Sequence, residues 1–208
     1  MDLAGQPSAV SPVTNITESD YTMVFYLKTQ IEAHFDHKPL GHFNHTTWQP
    51  QQTPLLALNR AEWNEHQLVP FVASDQSKPA VVTIVLNNLD DGAHPLHLHG
   101  NSFYVLSSHK AEGRTGWGSY NPFDPDEEPP EGLDLKAPKL KDTVAVPRRG
   151  HVVLRFLADN PGLWMMHCHM LVHMGTGMVA GLHVGDAGDE QHDAGMDAVA
   201  SKLCVKPV

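Results

Sequence analysis

The sequence predicts an all-β chain: a Greek-key β-sandwich with short helices and one long acidic loop. Three observations carry this. Short runs of β-branched and apolar residues recur along the 208 residues. Gly and Pro, 16 of each, punctuate them. Helical signals are confined to two short stretches. Many short strands between turn residues bury their apolar faces best as two packed sheets. A chain of this length can build one large domain, or two small ones, around a substantial core.

Residues 1–20 are rich in Ser, Pro, Thr and Gly and read as a linker or processed segment ahead of a domain over 21–185 and a tail over 186–208. Thr22–Ala33 is a strand that opens the domain. His34, His37, His42 and His45 follow, but no Cys or carboxylate set completes a metal site with them. The sequon Asn44-His45-Thr46 argues that this stretch is exposed, so surface-loop histidines are expected. Thr53-Pro54 resembles a cap with Pro in the first turn, which predicts a short helix over Leu55–Glu65. Ala80–Leu86, with Val81, Val82, Ile84 and Val85, is a fully apolar strand, and Ser102–Ser107 is another. The insertion Glu112–Asp134 holds seven acids against Arg114 alone, and Pro122, Pro125, Pro129 and Pro130 keep it irregular. A solvated loop is the expectation for it. The alternative is a carboxylate rim that favours cationic donors at the site described next. Thr143–Val146 and His151–Leu157 are strands joined by the turn Pro147–Gly150, and Met178–Val184 closes the sheet. Met196, Val199, Ala200 and Leu203 fall at helical spacing and suggest a short packing helix before Cys204.

The chemistry is concentrated in two clusters about seventy residues apart. Trp164-Met165-Met166-His167-Cys168-His169 places one of two cysteines between imidazoles, with His173 five residues and Met178 ten residues beyond it. Upstream, His94-Pro95-Leu96-His97-Leu98-His99-Gly100 supplies three more imidazoles. Thiolate, imidazole and thioether together are the donor set of a blue-copper centre. If His167-Cys168-His169 is extended, Cys168 points one way and both histidines the other. His97 and His99 share a face in the same manner. His94, set apart by Pro95, is expected at a bend from which it reaches the Cys168 side. The spacing therefore predicts a mononuclear site backed, across one strand, by a second, His-rich site. Electrons would enter at the first and pass along the strand to the second.

In these motifs, and in Asn160-Pro161-Gly162-Leu163-Trp164, the chain resembles the multicopper oxidases over roughly Tyr21–Val184. The resemblance implies a cupredoxin-like sandwich, the last of three such domains. It implies type 1 copper on His94, Cys168 and His173 with Met178 axial, type 2 copper on His97, and the type 3 pair on His99, His167 and His169. His173 would be the imidazole through which donor electrons arrive. Asn101 stands where many members of the family have His, a position that binds no copper. An axial Met implies a type 1 potential towards the low end. Asp142 is a candidate acceptor for a ligand imidazole or, equally, a strand-edge carboxylate.

The family's trinuclear cluster takes eight imidazoles, four from an earlier domain, and this sequence has no spare His-x-His pair. With Cys168 committed to copper, Cys204 has no partner within the chain. Both gaps imply another polypeptide that holds the first two domains, tied through Cys204. The expected activity is oxidation of phenols or other small aromatic donors coupled to reduction of dioxygen, with ascorbate or ferrous iron as alternative donors. A non-enzymatic blue-copper electron carrier is the alternative of another class. A net charge of −10 argues against nucleic acid or anionic membranes as partners. No apolar run approaches membrane-spanning length, and Met1–Val10 lacks the pattern of a signal peptide. The sequons at Asn15 and Asn44 nevertheless suggest a secreted glycoprotein, with the signal peptide on a longer precursor.

Overall fold

Among the residues that the computed structural model describes (18–33, 36–113 and 116–188), eleven strands form two sheets. In chain order they are β1 (Tyr21–Ile31), β2 (Pro39–Phe43), β3 (Phe71–Ala73), β4 (Ala80–Asn88), β5 (His94–Leu98), β6 (Phe103–His109), β7 (Lys139–Lys141), β8 (Thr143–Val146), β9 (His151–Ala158), β10 (Gly162–Cys168) and β11 (Val179–Gly185). The first sheet runs β2-β1-β4-β9-β6-β7 and the second β3-β11-β10-β5-β8. From β4 to β6 and again from β7 to β10 the chain changes sheets between consecutive strands or strand pairs, as a Greek-key sandwich requires. This is the expected cupredoxin-like fold. The one α-helix among the described residues is α1 (Leu171–Gly175).

The core lies between the sheets. Phe25, Leu27, Ile84, Leu86, Leu154 and Phe156 from the first meet Leu96, Leu98, Met166, Ala180, Leu182 and Val184 from the second. Truncating one such residue, Leu154 for example, would cost about 2–5 kcal/mol in lost transfer energy and cavity formation. Cys168 belongs to this cluster and is fully buried, so one end of the core doubles as the wall of the candidate metal centre.

β4 is buried on both faces, which accounts for its unbroken apolar run. Its outward residue Val85, with Leu106 and Val153, is covered by Tyr120 and Leu133 from the acidic insertion and by Leu135 just beyond it. Tyr120 is pinned there: Asn87 Nδ2–H donates to its carbonyl at 2.9 Å, and its N–H donates to Asn87 Oδ1 at 2.8 Å. The insertion is therefore the cover of the first sheet's outer face, and a freely solvated loop describes only its acid-bearing tip.

Two further expectations need correction. Leu55–Glu65 is not an α-helix but two 3-10 turns, Leu55–Ala57 and Arg60–Glu62, with Leu58 and Asn59 extended between them. The N–H of Asn59 is taken by the Glu62 carboxylate at 3.0 Å instead of by a carbonyl one turn back, which stops the first turn from propagating. His42 is not in an exposed loop. It lies buried in β2, with Nδ1 2.9 Å from Thr47 Oγ1 and Nε2 3.4 Å from the Glu32 carboxylate. His37 and His45 are exposed as expected. Asn44 is half-buried, and its side-chain oxygen accepts the Tyr26 N–H at 2.9 Å, so this sequon is less open than its sequence suggests. The linker over 1–17 with Asn15, together with His34, Arg114, the helix over Met196–Leu203 and Cys204, lies outside the described residues.

Candidate metal centre

β5 and β10 are antiparallel neighbours, with Leu96 opposite Cys168 and His97 opposite His167. Strand alternation then does the sorting. His94, Leu96 and Leu98 point into the core, and Pro95 and His97 point out. His94 and His97 are three residues apart, so they face opposite ways within one continuous strand. No bend at Pro95 is needed, because His94 and Pro95 are already paired with Val146 and Ala145 of β8.

On the inner side, His94, Cys168 and His173 bring their ligand atoms within 4.8 Å of one another. Cys168 Sγ lies 3.8 Å from His94 Nδ1 and 3.6 Å from His173 Nδ1, and the two Nδ1 atoms are 3.1 Å apart. His94 and Cys168 are buried, and His173 on α1 is half-buried. Met178 is fully buried beside them. Its N–H donates to the His173 carbonyl at 2.9 Å, and its carbonyl accepts the Cys168 N–H at 3.1 Å. One soft sulfur and two imidazole nitrogens converging in a dry pocket fit copper well.

Asp90 is the carboxylate that reaches this pocket, and the sequence reading missed it. Its Oδ2 lies 2.9 Å from His94 Nε2 and also accepts the Thr29 N–H at 2.7 Å and the Thr29 hydroxyl at 2.8 Å. Because a carboxylate only accepts, His94 Nε2 donates to Asp90, and Nδ1, which faces Cys168, is the atom that would give up its proton to a bound metal. Burial pushes the His94 pKa down, but hydrogen bonds to Asp90 and Cys168 outweigh it and raise it to about 9. His173 is lowered, first by burial and then by the neighbouring His94. Of the acidic insertion, Glu127 and Glu128 act on Tyr120, whose pKa is raised by burial and by their charges.

On the outer side, His97, His99, His167 and His169 form a patch with ring centroids 4.9–6.0 Å apart. His97 Nδ1 meets the Asp142 carbonyl and the Thr143 hydroxyl, both at 3.0 Å. Asp142 thus orients a candidate ligand through its main chain, not through the carboxylate proposed from sequence. His167 Nδ1 donates to the Cys168 carbonyl at 3.0 Å, which leaves its Nε2 lone pair aimed at His99 Nε2, also 3.0 Å away. Burial and the three neighbouring imidazoles lower the His99 pKa, which favours the neutral, metal-binding form. His99 and His169 are exposed, and so are Met165, whose carbonyl accepts the His99 N–H at 2.9 Å, and Met170, next to His169 in the chain. His97 is half-buried and His167 buried, so the cluster opens outward only through His99 and His169.

Two glycines make these approaches possible. At Gly100 the backbone has φ +68°, and an added Cβ would sit 2.3 Å from the Trp164 ring. Trp164 in turn donates to the Asn160 carbonyl at 2.8 Å, while Asn160 Nδ2–H donates to the Gly100 carbonyl at 2.7 Å. The Asn160–Trp164 motif thereby clamps the end of one His cluster to the start of the other. At Gly41 in β2, a Cβ would lie 2.6 Å from Met178 Cβ and 2.7 Å from Met178 N. Gly41→Ala is therefore expected to displace the Met178 backbone and to cost about 1–3 kcal/mol. Chemical denaturation and the copper-dependent visible spectrum check this, and a variant with unchanged stability and spectrum would show that β2 does not hold the ligand loop.

Residues 26–188 match the Multicopper oxidase family. The chain is 33% identical over 174 residues to Laccase-12 of Oryza sativa subsp. japonica, covering 82% of this chain and 26% of that protein. It is 34% identical over 151 residues to the iron transport multicopper oxidase FET3 of Gibberella zeae, covering 70% of this chain and 23% of that one. Among solved structures, Fet3p, described as a multicopper oxidase that functions in iron import, superposes with a TM-score of 0.73 at 25% identity, over 90% of this chain and 35% of that one. The chain spans about a quarter of the length of these curated relatives.

Proposed function

Since the chain belongs to the multicopper oxidase family, we propose that it is the type 1 copper-bearing chain of a two-chain, laccase-like oxidase. The reaction would be one-electron oxidation of phenolic or related aromatic donors, coupled to four-electron reduction of dioxygen to water. The observation that carries this reading is the two-sided strand end, where Cys168 closes a buried thiolate–imidazole pocket while His167 and His169 join an open imidazole patch. His94, Cys168 and His173, with Met178 axial, would hold type 1 copper. His97 would contribute to type 2 copper, and His99, His167 and His169 to the type 3 pair. Copper there would supply single-electron redox chemistry at the first site and dioxygen binding at the second. The protein's own part is positional. His173 sits at the pocket's half-exposed edge, where a donor can approach it. Cys168 shares backbone with His167 and His169, so the two sites are linked through a few covalent bonds. Burial of Cys168 keeps water from the thiolate.

The open imidazole face and its exposed apolar neighbours support a partner polypeptide that supplies four further histidines. Cys204 is proposed to tie the two covalently, and secretion would provide the oxidising setting that such a bond needs. A non-reducing gel of the native particle should then show this chain migrating with a larger partner and released by reductant at 22.9 kDa plus any glycan. Copper counting tests the whole reading. About four coppers per particle with a partner supports the oxidase, whereas one copper without a partner would leave only an electron carrier.

A second reading has one observation in its favour. Asp90 puts a carboxylate charge within reach of both His94 and His173, which would favour a cationic donor such as ferrous iron. Relatives named for iron transport make this worth testing. Steady-state assays with a phenol, ascorbate and ferrous iron rank the three donors. Within either reading, Met178→Leu should keep the blue centre and raise its potential, because losing the weak axial sulfur disfavours the oxidised ion. A redox titration with no change, or a fall, would remove Met178 as the axial ligand.

A further inference from the structure

Thr29 lies on β1, far in sequence from either His cluster, yet it makes two of the three hydrogen bonds received by one oxygen of Asp90. Its N–H lies 2.7 Å and its hydroxyl 2.8 Å from Asp90 Oδ2, and His94 Nε2 lies 2.9 Å from the same atom. We propose that Thr29 is a positioning residue for the blue-copper centre, acting through Asp90 to set how strongly the His94 imidazole donates to the metal. This rests on the reading of His94 as a type 1 ligand.

The physical argument is one of shared charge. A carboxylate oxygen divides its negative charge among the donors it accepts from, and each additional donor weakens its bond to the others. The Thr29 hydroxyl therefore tempers the pull of Asp90 on the His94 Nε2–H. Without it, that pull strengthens, the imidazole becomes a better donor through Nδ1, and the more highly charged oxidised metal is favoured. The reduction potential should fall. Thr29 is also well placed for a fixed role. It pairs in register with Gly41, the residue whose missing Cβ admits Met178. The β1–β2 hairpin thus touches the site through both His94 and Met178. Thr29 itself is exposed, but the Asp90 side chain is mostly shielded, with 17% of it exposed, and the His94 side chain it faces is buried.

The test uses the copper-loaded chain, with its partner where one is present, and reads the potential by redox titration of the blue band alongside the electron paramagnetic resonance spectrum. Thr29→Val keeps the β-branched shape that suits a strand and removes only the hydroxyl. It should lower the potential while leaving the blue band in place, and Thr29→Ser should restore the wild-type value. In an Asp90→Asn background the same Thr29→Val change should have no effect on the potential, because the coupling runs through the carboxylate. A Thr29→Val centre with the wild-type potential would overturn the proposal, as would an equal shift in the Asp90→Asn background. If Thr29→Val does not fold, Thr29→Ala measured in both backgrounds decides by the same two criteria. A wild-type chain that binds no blue copper would overturn the underlying reading and this one together. A blue wild type indifferent to the Thr29 hydroxyl overturns this one alone.

Discussion

Cys168→Ser is expected to abolish the intense blue absorption and to reduce donor oxidation to background. The colour requires charge transfer within a copper–thiolate bond, and a serine hydroxyl is a much poorer donor that stays protonated near neutral pH. Packing offers no alternative explanation for such a loss. Ser is close to Cys in size, and the surrounding Leu96, Met166 and Ala180 shell would still be filled. The buried hydroxyl has its own cost, about 1–3 kcal/mol if it finds no partner, but His94 Nδ1 and His173 Nδ1 lie close enough to offer one. The fold should therefore survive. Absorption near the blue band, copper content and activity are measured together on the variant. An unchanged blue band would remove Cys168 from the site and the assignment with it.

His99→Ala should give the complementary result: oxidation coupled to dioxygen falls to background while the blue band persists. His99 lies on the outer face, its Nε2 against that of His167, and makes no contact with the His94–Cys168–His173 pocket. Its side chain is exposed, so truncation opens no core cavity and should change stability little. If the proposed two-chain particle is the working form, its inner site would still be reduced by a donor, but the reduced protein would no longer be reoxidised by air. Stopped-flow recovery of the blue band after reduction reads this directly. Normal recovery in His99→Ala would show that the outer imidazoles are not the dioxygen site. Loss of the blue band itself would show that the two faces are not independent.

How much of this was legible in advance differs by scale. The residues of the two clusters, and the opposite facing of Cys168 from His167 and His169, follow from spacing because strand alternation has a period of two wherever the strand lies. The sandwich was legible for a similar reason. Apolar runs such as Ala80–Leu86 and Thr143–Val146 carry their structure in their own composition. The short edge strands β2, β3 and β7 were not legible. Each is three to five residues long, and each is held by its neighbour's ladder more than by its own preference. The Leu55–Glu65 segment misled because a Pro after a capping residue also suits a 3-10 turn, and only the Glu62 contact to Asn59 decides between them.

The sequence by itself therefore determined the two Cys/His clusters, their sorting onto two faces and the family's sandwich, all of which depend on residue type and local periodicity. Tertiary structure alone decided what tunes them. Asp90 is four residues from His94, but its role depends on Thr29, 61 residues away on another strand. Gly41 matters only because β2 is folded against Met178, and the acidic insertion covers a sheet face because its Leu133 and Tyr120 meet Val85 and Leu106. Such relations are set by which strands become neighbours. That is a property of the packed sheets as a whole, which no local pattern encodes.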